Sequence, residues 1–336
     1  MSKSKRHHYV PRHLQKGFSA SDDGQVYCFD KQKGSAFKTN TANVMAETYF
    51  NEFEAEEEGE KIKVSFENEM TSIEEIYLEA LNKIRLTRDI KSLTDEELHG
   101  LRIMVAFQFI RSKAFRENMA HIEKSMISRI KDFMPKDMSN EMIKRMSPDQ
   151  AKFGHAKFIS ENLNYFANML KNRDAILFYP PEEHHLYLGD SPTVLSNSKD
   201  RDKFWGNLGW SCTGIEIYTP IATDLLLGFW CPSILASFDA DYQKGRKVHA
   251  LSIMTGNITE HTEELAKHGK VMRKYLKELL DDKLSELPIT SLRHYNSLQV
   301  TYSERFLVSS KNSFQLAEEM IENDEKYKSG SRAVIK

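Results

Sequence analysis

The sequence predicts an α+β fold: a central helical layer with an N-terminal β-hairpin cap and a small C-terminal mixed β region. Three observations carry this expectation. Residues 1–58 contain two alternating runs joined by a glycine-bearing turn. Residues 59–172 are dominated by apolar positions at helical spacing. Over 173–320, short strand-like runs punctuated by Pro and Gly give way to helix again. We expect these three regions to form one compact unit, with a flexible polar tail over 321–336.

The elements follow in order. Pro11 suits a first helical turn and Gly17 a helix stop, which predicts a short helix over Pro11–Lys16. Gln25–Asp30 alternates, Lys31-Gln32-Lys33-Gly34 turns, and Ser35–Thr39 returns, giving a hairpin with Gly34 at positive φ. From Glu47 to Glu60 there are seven Glu and no Lys or Arg. The plain reading is a solvated helix approach or loop. The sharper reading is an acidic flap that pairs with the basic N-terminus or mimics its ligand. Val64–Leu86 has helical periodicity. Thr94 and Glu97 form a capping box that opens a helix running to about Met134, ahead of Pro135. Ser147 and Pro148 open a third helix that reaches about Lys171. Ala175–Tyr179, Leu186–Leu188, Glu216–Thr219 and Asp224–Phe229 read as strands. Ser196–Gly214 has no period and reads as a loop over a pocket. Thr259–Leu280 and Leu287–Thr301 read as helices, and Arg305–Ser309 as a last strand.

Composition narrows the function classes. The net charge is -2, so attraction to nucleic acid must come from a local patch. Cys28, Cys212 and Cys231 are scattered, which suits a reducing cytoplasm and offers no CxxC site. The apolar windows Leu101–Ile110 and Leu225–Leu235 are shorter than the roughly 20 residues a membrane helix needs. The N-terminus lacks the apolar run of a secretory signal. We therefore expect a cytoplasmic protein with no membrane partner. There is no P-loop and hence no nucleotide-cofactor signature, and HExxH is absent. Gly209–Gly214 has one residue too many for a nucleophile elbow.

The first sixteen residues concentrate five Lys or Arg and three His, with no acid before Asp22. Within them stands His7-His8-Tyr9-Val10-Pro11-Arg12. This string, at the N-terminus, resembles the uncharacterised bacterial HHYVP family, domain of unknown function 4238. The resemblance extends along residues 6–310. Phe18 matches the end of an aromatic and basic turn, and Tyr27, Phe29, Asp30 and Lys31 match a Tyr-x-Phe-Asp-Lys hairpin. Gln108 and Arg111 match Gln-x-x-Arg, and Gly189-Asp190-Ser191-Pro192 matches a Ser-Asp-Asn-Pro-like turn. Pro220-Ile221, Asn296 and Ser309 complete the order. Ser191 replaces the family's Asn, and His13-Leu14 replaces its aromatic pair. The family name implies no activity, and conflict between bacteria and mobile elements is the setting we expect for it.

Several of these residues could carry chemistry. Adjacent side chains in an extended chain face opposite ways, so His7 and His8 do not chelate together and at most one acts as acid or base. The plain alternative is that both anchor the N-terminus. Arg12 is the better phosphate clamp, because its planar fork binds two oxygens. Gln108 and Arg111 are three apart on an all-round apolar helix, so Arg111 must meet a carboxylate or a bound anion. Asp190 follows a strand and precedes a rigid turn, which suits a metal ligand, a base or a turn cap. His184 and His185 lie upstream of it, at a spacing that matches no standard zinc site.

The expectation is a phosphodiester hydrolase of nuclease type. His7, His8 and Asp190 are its catalytic candidates, and Arg12, Gln108, Arg111 and Asn296 its substrate-binding candidates. Asp190 would hold a divalent metal ion. The alternative is a non-catalytic binding or sensor module for nucleic acid or another phosphate-bearing ligand.

Overall fold

Residues 6–21, 23–57, 60–130, 133, 147–198 and 207–333 are described by the structure, a computed structural model. Strand β1 (Arg6–His8) is followed by helix α1 (Arg12–Lys16), with Pro11 as its N-cap. β2 (Gln25–Asp30) and β3 (Ser35–Asn40) form the expected hairpin, with Gly34 at φ +64°. β4 (Ala46–Thr48) pairs antiparallel with β1, setting His7 opposite Glu47.

The Glu-rich stretch contains strand where a loop or helix approach was the plain expectation. β5 (Glu52–Glu57) pairs with β6 (Glu60–Ser65). Cross-strand charges support the pairing: Lys63 lies 2.7 Å from Glu52, and Lys61 lies 3.5 Å from Glu54. The following helix, α2 (Glu67–Thr87), therefore starts later than Val64.

Thr94 caps α3 (Asp95–Ile110) through the capping box that the sequence shows. The helix ends at Ile110, well short of Met134, which itself lies outside the described residues. Ser112 explains the break. Its hydroxyl donates to Phe109 O (3.0 Å) and accepts from Phe115 N (3.1 Å), so the chain restarts as α4 (Lys113–Ile130). α5 (Pro148–Met169) opens at Ser147 and Pro148 as expected. α3 packs against both α2 and α5, which accounts for the burial of Leu101, Met104, Val105, Phe107 and Ile110 all round it.

A five-stranded sheet follows, in the order β12-β7-β11-β10-β9. Its strands are β7 (Asp174–Tyr179), β9 (Val194–Asn197), β10 (Ile215–Ala222), β11 (Leu225–Trp230) and β12 (Leu284–Glu286). Only β12 and β7 pair in parallel. Part of the expected pocket loop, residues 199–206, lies outside the described residues. Pro232 opens a helix absent from the sequence reading, α6 (Pro232–Met254), which turns back as α7 (Glu260–Lys277).

α8 (Ile289–Tyr302) leads into β13 (Phe306–Ser309), and β13 closes a second sheet in the order β3-β2-β13-β8, where β8 is Leu188–Gly189. The N-terminal hairpin and a C-terminal strand thus share one sheet. One buried cluster accordingly draws residues from Tyr9 to Val308. The expected tail is structured up to residue 333. α9 (Gln315–Asn323) crosses its start, and Arg332 makes two hydrogen bonds to the Glu304 carboxylate.

Candidate functional site

Apart from Arg12, the residues singled out by sequence fall into four bonding groups. His7 is 2% exposed, and Asn51 N donates to its Nδ1 at 3.2 Å. The ring proton therefore sits on Nε2, 3.5 Å from Glu52 Oε1. His7 fastens β1 to the acidic hairpin. One residue of the basic N-terminus, His7, thus meets the acidic segment at Glu52.

Asp190 forms the second group. It is fully buried, and Oδ1 accepts from Glu304 N (2.6 Å) while Oδ2 accepts from Arg305 N (2.8 Å) and Phe306 N (2.9 Å). Burial pushes its pKa up to about 6, against those three bonds and the nearby Lys31 ammonium. Lys31 is also fully buried; it donates to Val300 O (2.6 Å), to Ser303 O, and to Ser329 O (3.4 Å). Burial brings its pKa down to about 8. Asp30 completes the junction by accepting from Arg305 Nε and Nη2, at 3.1 and 2.7 Å. Gly189 is required here, because a Cβ would stand 2.0 Å from Ser303 Oγ and 2.7 Å from Gln299 Oε1. Asp190 thus serves as a clasp on the loop before β13. The expected role as base or metal ligand meets a carboxylate whose two oxygens already hold three amides.

Asn296 forms the third group. Its Oδ1 accepts from Tyr187 N (2.9 Å), and its Nδ2 donates to His185 O (3.0 Å). It lines a groove of about 340 Å³ together with His184, His185 and Arg293. Among the described residues no three His, Cys, Asp or Glu side chains stand together as metal donors.

The fourth group brings His8, Gln108 and Arg111 together, with His13, Glu74 and Tyr77, which the sequence reading had not assigned. Arg111 is 2% exposed. It donates to Glu74 Oε1 (2.6 Å) and to His8 O (2.8 Å), with Cζ 4.5 Å from the Phe107 ring centroid. The carboxylate that a buried Arg requires is therefore Glu74. Its other oxygen lies 3.5 Å from His13 Nδ1. Gln108 donates to Tyr77 OH (3.2 Å). Gln108 Oε1 and His13 Nε2 are buried and find no hydrogen-bond partner among the described residues. Burial takes the His13 pKa down to about 4, with Arg111, Arg85 and Lys16 adding to the effect and Glu74 opposing it. No sequence signal pointed to Glu74. It is one of many acids on α2 and is distinguished only by what faces it.

His8 stands at the outer edge of this group. It is half-buried, and its Nε2 lies 3.1 Å from Thr41 O. The bond to a carbonyl puts the proton on Nε2 and leaves the lone pair on Nδ1. Burial lowers its pKa; Arg12, Arg6 and Arg111 lower it further, while the Thr41 bond opposes them. On α1, Arg12 and Lys16 are exposed one turn apart and share a face. Arg85 braces the helix from behind through His13 O (3.0 Å) and Leu14 O (3.2 Å).

The chain matches the family described as protein of unknown function, DUF4238, over residues 6–313. It belongs to that family. No curated protein and no solved structure matches it. The match begins at the first described residue of β1 and runs past β13, so it includes both the clasp and the basic face. Among the described residues no helix is long and apolar enough to cross a membrane.

Proposed function

We propose that the chain is a binding module for a phosphate-bearing ligand, engaged at the face where Arg6, His8, Arg12 and Lys16 meet. The observation that carries this reading is the set of three guanidinium groups whose charge converges on the half-buried His8. Arg111 is held from behind by Glu74, while Arg12 and Lys16 make no side-chain hydrogen bond or ion pair among the described residues. Arg12 and Lys16 can thus meet an anion without first breaking internal bonds, while Arg6 already donates to Asn43 O.

A specific observation also favours a second reading, the phosphodiester hydrolase. Thr41 fixes the tautomer of His8, leaving an imidazole whose Nδ1 lone pair has no hydrogen-bond partner among the described residues, as a general base requires. In this reading His8 is the base and Arg12 stabilises charge on the phosphate oxygens. His7 and Asp190 hold the fold, and any divalent ion would bind elsewhere than Asp190.

One experiment tests both readings. A 5′-phosphorylated oligonucleotide and its dephosphorylated counterpart are titrated against the full chain, with and without magnesium or manganese. Phosphate-dependent binding that Arg12→Ala weakens about tenfold supports the module. Turnover that disappears in His8→Gln while binding remains supports the hydrolase. Equal affinity of wild type for both oligonucleotides, or none, overturns the site.

A further inference from the structure

The hairpin of α6 and α7 carries a second concentration of positive charge, away from the sequence motifs. Between Phe238 and Tyr275 the only buried residues are Ser252 and Thr262, so this hairpin packs along its own seam and leaves its outer faces in solvent. Lys267, Lys270, Lys274 and Lys277 fall at i, i+3, i+7 and i+10, one stripe of α7 about 15 Å long. The acids of α7, Glu260, Glu263 and Glu264, are confined to its N-terminal end. Among the described residues only Lys274 of the stripe has an ion-pair partner, Glu278 at 3.8 Å. Like charges at this spacing destabilise a helix. The helix dipole favours Lys274 and Lys277 in the last turn, and it gives no reason for Lys267 and Lys270.

The stripe borders a groove of about 200 Å³ between the two helices. Arg246, Lys270 and Arg273 line it, and no carboxylate does. Its floor is opened by Gly245 and Gly269, both inside helices, where glycine is unfavourable. Packing does not demand them. A Cβ at Gly245 would meet nothing within 4 Å, and one at Gly269 only Tyr242 Cε2 at 4.0 Å. Glycine in a helix with room for a side chain permits close approach by something from outside.

We infer that this face binds the sugar–phosphate backbone of a nucleic acid. A line of lysines suits a chain of repeating negative charges better than a single anion. A bilayer surface would need basic and apolar side chains on one side. Here α7 offers a single exposed large apolar side chain beside the stripe, Val271, while the exposed Val248 and Leu251 lie about 200° and 140° around α6 from Arg246. This inference is independent of the phosphate site at His8, since none of its residues is shared.

The test uses fluorescence anisotropy with the full chain, single- and double-stranded oligonucleotides of DNA and RNA, and salt from about 50 to 200 mM. Wild type binds at low salt. The variant Lys267→Gln/Lys270→Gln/Lys274→Gln/Lys277→Gln binds at least about 30-fold more weakly, and its salt slope falls by about 3. Gly245→Leu, which fills the groove without touching a charge, weakens binding about fivefold with an unchanged circular dichroism spectrum. Affinity for inorganic pyrophosphate at the His8 face stays as in wild type in both variants, so failure at one site is separable from failure at the other. Unchanged nucleic-acid affinity in the lysine variant overturns the inference. So does a wild type that sediments with phosphatidylserine vesicles and binds no nucleic acid.

Discussion

Two regions of this molecule use the same residue types to opposite ends. At the junction of β2, β8 and β13, Asp30, Lys31 and Asp190 are at most 1% exposed, and each is met by protein groups: a guanidinium, three carbonyls, three amides. At the N-terminal face, Arg12 and Lys16 are exposed and have no such partners among the described residues. A charge withdrawn from water must be met inside the fold, and one that is met inside has little left to offer a ligand. Both regions lie within the motifs that first drew attention to the chain, so membership of a motif does not separate the two roles; the partners do.

The largest test of this contrast is Asp190→Ala. It leaves three amides without an acceptor and removes the nearest counter-charge of Lys31, so we expect about 3–5 kcal/mol of destabilisation, read as a lower urea midpoint. Binding by the folded fraction should be unchanged. A loss below about 1 kcal/mol would show that the clasp is dispensable and would return Asp190 to the list of candidates for chemistry.

Arg111 combines both uses in one side chain, since it is met by Glu74 inside the fold and holds the backbone of His8 at the face. Arg111→Met should cost about 2–4 kcal/mol, and it should also weaken the phosphate ligand several-fold by releasing His8. Glu74→Gln should cost less, because an amide oxygen can still accept from the guanidinium. Stability and binding that change independently across these variants would detach the face from its scaffold.

A smaller effect is expected from pH. Burial holds His13, and His155 on α5 with its Nε2 2.7 Å from Ile110 O, at about 4, against an ordinary value of 6.5. Between those values the unfolded chain takes up protons that the native chain refuses, so stability is present above pH 6.5 and declines as pH falls toward 4. The slope is at most about 1.4 kcal/mol per pH unit for each histidine. Asp190 acts with the opposite sign. Its pKa is raised to about 6, so the native state keeps a proton that the unfolded state releases, and stability rises as pH falls through that window. Glu216, also raised by burial, sides with Asp190, but His8, His99 and His185, each lowered by burial, side with His13 and His155, so wild type should lose stability in acid. His13→Gln combined with His155→Gln should reduce or reverse that slope in urea melts between pH 7 and 4.5. A slope identical to wild type would mean that neither ring resists protonation.

What the sequence made legible was local. The Thr94 capping box, Gly34 in its turn and the Ser147-Pro148 start each depend on neighbours within a few residues, and each is found in the structure. The break at Ser112 was hidden because apolar periodicity continues across it and the hydroxyl that ends α3 is inconspicuous. The strands β5 and β6 were hidden because alternating Glu looks solvated until Lys61 and Lys63 are placed opposite. α6 was missed although Pro232 marks its start, since its exposed faces carry no strong apolar stripe. At the site, the need of Arg111 for a carboxylate could be read from burial alone. Which carboxylate, and that Asp190 would reach the loop before β13 more than a hundred residues on, depended on long-range pairing that no local pattern encodes.

The smallest stability effect and the most specific binding effect should come from the same pair of residues. Arg12 and Lys16 are exposed on a short helix that Arg85 already braces through its last carbonyls, so Arg12→Ala and Lys16→Ala should leave the urea midpoint within about 0.5 kcal/mol of wild type. Each should weaken the phosphorylated oligonucleotide, Arg12→Ala by about tenfold and Lys16→Ala by less, because a flexible ammonium holds a phosphate less firmly than a guanidinium fork. Arg12→Lys should recover part of the loss, and each deletion should lower the salt slope by roughly one. If the pair destabilises the fold and leaves binding intact, the basic face is a second clasp, and the contrast between the two regions disappears.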